Sequence, residues 1–141
     1  MISLKWKLFQ YQSGSGRKAI DDWRKDIPVG LPRADLDNFL KIVAKKDKWE
    51  YPDLDSLKSK KYQGLSELRW RSGNVPYRII GYSQADHEYV MLIGCTHNNK
   101  KYTPPDALDT AVKRRKQIHS EEATICEYKL TIGNGVEGQN V

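Results

Sequence analysis

Apolar residues recur along the first part of the chain with two different periods. Residues 4–11 partly alternate between apolar and polar, and this period of two is typical of a strand. Apolar residues three to four positions apart then predict a helix over residues 17–27, ended by Pro28, and a second helix from about Pro32. Residues 49–61 show neither period, so we expect a loop or a short helical turn there.

After Gly64 the period changes to two. Three strands are predicted over residues 64–71, 75–82 and 89–96, joined by short turns, and a polar loop is predicted over residues 97–102. Thr103 is a candidate cap for a last helix, because Pro104 suits a first helical turn and Asp106 complements its positive end.

The order of these elements predicts an α+β fold. We expect an antiparallel, mainly meander sheet of about four strands, with two N-terminal helices packed on it and a C-terminal helix. Residues 1–120 would form one domain. Residues 121–141 would be a C-terminal extension, either an edge strand at residues 125–132 or a mobile tail.

Charge is unevenly distributed along the 141 residues. The formal net charge is +6, of which residues 56–120 contribute +7, residues 1–55 contribute +2 and residues 121–141 contribute −3. A concentrated positive charge favours phosphate-rich partners. No apolar run reaches membrane-spanning length and no signal-peptide pattern is present, so we expect a soluble cytoplasmic protein with no membrane partner.

The sequence offers no motif for a metal, and we expect no cofactor. The three histidines are scattered, and there is no glycine-rich phosphate loop. What remains is a cationic site, which suits cleavage of RNA by its own 2′-hydroxyl. That reaction needs a base, an acid and cations that stabilise a pentacoordinate phosphorane. Arginine suits the third role because its planar fork binds two phosphate oxygens.

Cationic side chains in the predicted strands and in the loop after them are the candidates for this chemistry. The candidate catalytic residues are Arg69, Arg78, His97, Lys100 and Lys101, and the candidate RNA-binding residues are Lys60, Lys61, Arg71, Tyr102 and Arg114. Structural roles are open for several of them. Arg69 shares a strand face with Glu67 and could form an ion pair with it, and Tyr102 could seal the core rather than stack on a base.

Three motifs occur in an order that resembles the RelE/ParE toxin superfamily, in particular its phage-derived and HigB-like branch. They are GLSELRWR at residues 64–71, VPYRIIGY at residues 75–82 and KKYTPPDAL at residues 100–108, and the resemblance covers about residues 4–119. It implies a small α+β toxin that cleaves mRNA, usually on the ribosome, and arrests growth. It also implies an antitoxin, expected to be a helix-turn-helix protein encoded next to the toxin.

By position, Arg69 and Arg78 match the strand arginines of these toxins, and Lys100 or Lys101 falls in their lysine-rich loop. The sequence His97-Asn98-Asn99 stands where the branch has a phenylalanine and paired lysines, so the identity of the general base stays open. The alternative function is that of a non-catalytic protein of the same fold, either a gyrase-inhibiting toxin or a phage-derived interaction protein. A stand-alone DNA-binding domain is less favoured, because no recognition helix is evident.

Overall fold

The computed structural model describes residues 4–130. Within them lie three α-helices, which are α1 (Ala19–Asp26), α2 (Leu31–Lys45) and α3 (Ala107–His119). Seven β-strands accompany them, which are β1 (Lys7–Gln12), β2 (Leu54–Ser56), β3 (Ser66–Ser72), β4 (Val75–Ala85), β5 (Glu88–Asn98), β6 (Lys101–Thr103) and β7 (Thr124–Glu127). The predicted α+β class and the three helices are confirmed.

The sheet is larger and less regular than the predicted meander of about four strands. Its order is β2-β3-β4-β5-β1-β7, with β6 paired to the end of β5. Strand β1 runs parallel to β5, so the sheet is mixed. The prediction was wrong on these two points because β2, β6 and β7 have only three or four residues, too few to show an alternation. Periodicity also carries no information about a strand's partner.

Two segments predicted as loops contain secondary structure. Residues 49–61 include β2, and a turn of 3-10 helix follows at Lys60–Tyr62. The predicted polar loop at residues 97–102 is instead a tight hairpin, in which β5 continues to Asn98 and β6 begins at Lys101. The two turn residues between them have positive φ, 51° at Asn99 and 65° at Lys100. This is the geometry of a two-residue hairpin turn, but the glycine that usually signals it is missing.

The start of the last helix also differs from the prediction. Helix α3 begins at Ala107, its N-cap residue is Asp106 rather than Thr103, and no side chain caps it. Thr103 belongs to β6 instead, where it pairs with Thr96 of β5. The predicted strand at residues 125–132 overlaps β7, which lies at the edge of the sheet, and its residues 131 and 132 are outside the described part of the chain.

The two faces of the sheet carry separate cores. Helices α1 and α2 cover one face, where Ile20, Leu36 and Leu40 pack against Leu68 and Ile79 of the strands. Helix α3 covers part of the other face, where its two buried alanines pack against the second core cluster, which includes Leu65, Ile80, Tyr82, Val90 and Leu92. One end of this second face stays open to solvent, because Arg71 is exposed and His97 is only half-buried. No helix within residues 4–130 is long and apolar enough to cross a membrane.

Gly94 of β5 fixes how closely α1 approaches the sheet. A Cβ atom added at Gly94 would overlap the indole ring of Trp23, which lies directly over the strand. We therefore expect Gly94→Ala to destabilise the protein by about 1–3 kcal/mol, the usual cost of overpacking a core. Urea unfolding of both forms measures the difference.

Gly14→Ala is the matched control. A Cβ there would have one neighbour, the carbonyl oxygen of Glu122 at 3.3 Å, and the backbone of Gly14 does not lie in the left-handed region. An equal loss of stability in the two variants would contradict the packing explanation.

Candidate active site

The register of four neighbouring strands gathers cationic and aromatic side chains at the open end of the second face. Arg69 of β3 lies opposite Arg78 of β4, and Arg78 lies opposite Cys95 of β5. His97 of β5 lies opposite Tyr102 of β6. Directly opposed residues project from the same side of a sheet, and so do alternate residues of one strand. We call Glu67, Arg69, Arg78, His97 and Tyr102 together the arginine site.

Glu67 connects the members of this site. Its side chain is buried, and its Oε1 atom lies 3.4 Å from Nε of Arg78 and 3.7 Å from Nε of Arg69. The Tyr102 hydroxyl donates a hydrogen bond of 2.7 Å to Oε2. A buried carboxylate needs partners of this kind to offset the loss of hydration. Glu67 therefore fixes the positions of both guanidinium groups and of the Tyr102 ring.

The two arginines have different surroundings. Arg69 is half-buried, and its Nη1 donates to Oδ2 of Asp55 on the neighbouring strand β2 at 3.2 Å. Arg78 is buried, and its Nη1 donates to the Tyr77 carbonyl oxygen at 3.0 Å. Its contact with Glu67 is an ion pair without hydrogen-bond geometry, since Nε of Arg78 has no hydrogen-bond partner within the described chain. Burial and then the charge of Arg69 lower the pKa of Arg78, yet a guanidinium stays protonated at neutral pH.

His97 provides the imidazole of the arginine site. Its ring centre lies 4.6 Å from that of Tyr102, with the two planes tilted by 53°. Burial lowers the pKa of His97, and the positive charges of Arg78 and Arg69 lower it further, against the opposing effect of Glu67. The imidazole is therefore neutral at pH 7 and able to accept a proton.

Tyr102 and Cys95 stay protonated at neutral pH. Burial and the hydrogen bond to Glu67 raise the pKa of Tyr102 far above its ordinary range. Burial raises the pKa of the Cys95 thiol to about 12. Tyr102 thus serves as a hydrogen-bond donor, and Cys95 is a buried neutral group opposite Arg78.

The two lysines after β5 lie in the hairpin turn and at the start of β6. Lys100 occupies the hairpin turn that follows His97 and Asn98. Lys101 neighbours Tyr102 along β6, and successive side chains of a strand point to opposite faces. Lys101 therefore projects away from the face that carries Tyr102. Both lysines are exposed.

The predicted RNA-binding residues lie in separate places. Arg71 shares the face of Arg69, is exposed, and forms no ion pair within residues 4–130. Lys60 and Lys61 lie in the 3-10 helix beside α3, where Nζ of Lys61 is 2.9 Å from Oδ1 of Asp109. Arg114 is turned towards β1 and β5: its Nη1 donates to the Leu92 carbonyl oxygen at 2.8 Å, and its guanidinium lies over the Tyr11 ring at 4.9 Å. The structure does not bring Arg114 to the arginine site.

Three residues beside the arginines were absent from the sequence-based candidates. Asp55 reaches Arg69 from β2, Glu67 links the two arginines, and the Tyr51 ring lies 5.4 Å from the Arg69 guanidinium. Glu67 was recognisable as a neighbour of Arg69 on the same strand face. Asp55 and Tyr51 gave no such signal, because the pairing of β2 with β3 is not visible in the sequence. Within residues 4–130 no three His, Cys, Asp or Glu side chains cluster so as to hold a metal ion.

The fold and this site define a small α+β protein with a cationic cluster on the exposed end of its sheet. A family model described as phage derived protein Gp49-like (DUF891) matches residues 29–116, from the loop before α2 into α3. The chain belongs to this Gp49-like family, which is RelE-like. The matched segment includes every residue of the arginine site. No curated protein and no solved structure matches the chain.

The charge of Arg69 can be tested as a cause of the low pKa of His97. Arg69→Ala removes a positive charge beside the imidazole, so we expect the pKa of His97 to rise towards its ordinary value. An NMR titration of the histidine ring protons measures this directly, with His119 as an internal reference in the same spectra.

Arg71→Ala is the control, because Arg71 lies on the same strand face and is exposed to solvent. An unchanged pKa of His97 in Arg69→Ala, or an equal rise in Arg71→Ala, would contradict the assignment.

Proposed function

We propose that this protein is the toxin component of a type II toxin–antitoxin pair and cleaves mRNA without a metal ion. The observation that supports the proposal best is the arginine site itself. Two guanidinium groups on neighbouring strands lie in register beside an imidazole that is neutral at pH 7, at the end of the sheet face that helix α3 covers only in part. These are the groups that cleavage of RNA by its own 2′-hydroxyl requires.

In the proposed reaction, His97 accepts the proton of the 2′-hydroxyl, and the 2′-oxygen attacks the neighbouring phosphorus. Arg78 and Arg69 bind the non-bridging oxygens, whose negative charge increases in the phosphorane. The bond from phosphorus to the 5′-oxygen then breaks, and Lys100 supplies a proton to this leaving group. The products are a 2′,3′-cyclic phosphate and a 5′-hydroxyl. We assign this last role to Lys100 rather than Lys101, because Lys101 projects from the opposite face.

Cationic residues outside the arginine site would hold the RNA backbone. Arg71 is exposed on the same strand face, and Lys60 and Lys61 extend the positive surface towards α3. Arg114 is left out of this set because Leu92 and Tyr11 already occupy its guanidinium. The partners we propose are mRNA on the ribosome, in the cytoplasm, and a helix-turn-helix antitoxin encoded next to the toxin. We further propose that the protein belongs to the phage-derived, HigB-like branch of the RelE/ParE toxins.

A second candidate function rests on a different property of the site. Glu67 and Asp55 together carry two negative charges, which balance those of Arg69 and Arg78. An arginine pair already neutralised in this way suits a structural role. The protein would then be a non-catalytic member of the family, either a gyrase-inhibiting toxin or a phage-derived protein that binds another protein.

Removing the proposed base tests the first function. We expect His97→Ala to lower the cleavage rate by about 10²–10⁴-fold, the usual contribution of a general base. Lys100→Ala should also slow cleavage, whereas Lys101→Ala, the matched control, should be close to wild type. The measurement is mapping of mRNA 5′ ends after induced expression, followed by rates with purified ribosomes.

Full cleavage by His97→Ala would exclude the role of the imidazole. Growth arrest by the wild-type protein with intact mRNA would contradict the nuclease proposal as a whole and favour the second candidate.

A further substitution separates the geometry of Arg78 from its charge. Arg78→Lys keeps a positive charge beside Glu67 but loses the planar fork, so we expect a folded protein whose cleavage rate falls by about 10²–10³-fold. Arg71→Lys, at an exposed position, should change the rate much less. Circular dichroism and thermal unfolding confirm the fold, and wild-type cleavage by a folded Arg78→Lys protein would show that two-point phosphate binding by Arg78 is not needed.

A further inference from the structure

An exposed aromatic ring lies beside the arginine site. Tyr51 is 69% exposed, and the Arg69 guanidinium carbon lies 5.4 Å from its ring centroid. Large aromatic side chains usually bury most of their area, because burial of apolar surface is what stabilises them. A tyrosine this exposed contributes little to the core.

The position of Tyr51 is set by the strand that follows it. The Asp53 carbonyl oxygen accepts a hydrogen bond of 2.9 Å from the Arg69 amide, and Leu54 pairs with Leu68. Tyr51 lies two residues before Asp53, so these backbone contacts hold it at the edge of β3, next to Arg69. The ring is therefore placed by backbone hydrogen bonds and by the contact with Arg69.

Tyr51 forms one wall of an open cavity of about 290 Å³. The other walls include three guanidinium side chains, so the cavity is lined by Tyr51, Pro52, Arg69, Trp70, Arg71 and Arg78. An aromatic face beside several arginines matches the two parts of a nucleotide, a flat base and a charged phosphate. Proteins that bind single-stranded nucleic acid combine these same elements, aromatic rings for stacking and cations for the backbone.

We propose that Tyr51 is the stacking platform for one base of a single-stranded RNA whose neighbouring phosphate occupies the arginine site. This inference rests on the proposed function for the identity of the phosphate ligand. One face of the ring contacts Arg69, and the exposed surface leaves the other accessible to a base. Stacking tolerates any base, since each has a π face. Tyr51 would therefore contribute affinity and position rather than sequence preference.

The test uses the full chain and a non-cleavable RNA oligonucleotide with 2′-O-methyl groups, so that binding is measured apart from cleavage. 2-Aminopurine is placed at successive positions, because its fluorescence falls when the base stacks. We expect quenching at one position by the wild-type protein. Tyr51→Ala should abolish it and weaken binding by about 5- to 150-fold, as expected for one stacked base, whereas Tyr51→Phe should retain both.

Leu31→Ala is the matched control, since Leu31 is 67% exposed and lies at the start of α2, outside the arginine site. A second measurement replaces the stacked base by an abasic nucleotide. If the base stacks on Tyr51, its removal should weaken binding to the wild-type protein and have almost no further effect on Tyr51→Ala. Additive losses would show that the base contacts another residue and would overturn the inference.

The outcomes distinguish this inference from the proposed function. Cleavage of mRNA together with unchanged oligonucleotide affinity of Tyr51→Ala would overturn the role of Tyr51 and leave the nuclease proposal intact. Stacking without any cleavage would support Tyr51 as a base platform and contradict the nuclease proposal. Binding of an acidic peptide in place of the oligonucleotide would overturn the inference, because it would identify the exposed ring and arginines as a protein-binding surface.

Discussion

The arrangement of the candidate site depends on the contacts that the buried carboxylate of Glu67 makes. Two guanidinium groups directly opposite each other on neighbouring strands would repel, and like charges in such pairs destabilise a sheet. Glu67 lies within 4 Å of both and also accepts the Tyr102 hydroxyl, so one carboxylate joins β3, β4 and β6. Removing any one partner of such a group leaves buried charge uncompensated. The positions of the arginines are therefore a consequence of the fold.

A second buried polar residue links strand β1 to helix α1. Gln10 of β1 is fully buried, and its Oε1 accepts hydrogen bonds of 2.9 Å from the amides of Ile20 and Asp21. Gln10 thereby satisfies two amides in the first turn of α1, a helix whose own N-cap residue provides no side-chain bond. The same helix lays Trp23 against Gly94 of β5. One side chain of β1 thus helps to hold α1 over the strand that carries His97.

Much of the face that carries the site could be predicted from the sequence, since alternation within 64–96 identifies three strands and puts Glu67 and Arg69 on one side. The register that sets Arg69 opposite Arg78 could not be predicted from the sequence, because it depends on turn geometry and on packing against both cores. The contributions of Asp55 and Tyr51 depend on a strand of three residues, and the parallel insertion of β1 depends on a contact between residues about eighty positions apart. A strand of three residues is too short to show an alternation of apolar and polar residues. A pairing between distant segments leaves no pattern in the local sequence. The arginines, Glu67 and Tyr102 could therefore be foreseen from the sequence, whereas Asp55 and Tyr51 could not.

In the proposed reaction, binding of a phosphate would weaken the effect of the arginines on the pKa of His97. In the free protein, burial and then the positive charges of the arginines lower the pKa of the imidazole. A phosphate bound between Arg69 and Arg78 would cancel part of this charge, so the pKa of His97 would rise when the substrate is in place. The imidazole would then be neutral before binding and more basic afterwards, when a proton has to be removed. Such coupling would suit a histidine to the role of base, because arginines that bound the phosphate would also adjust the pKa of the imidazole.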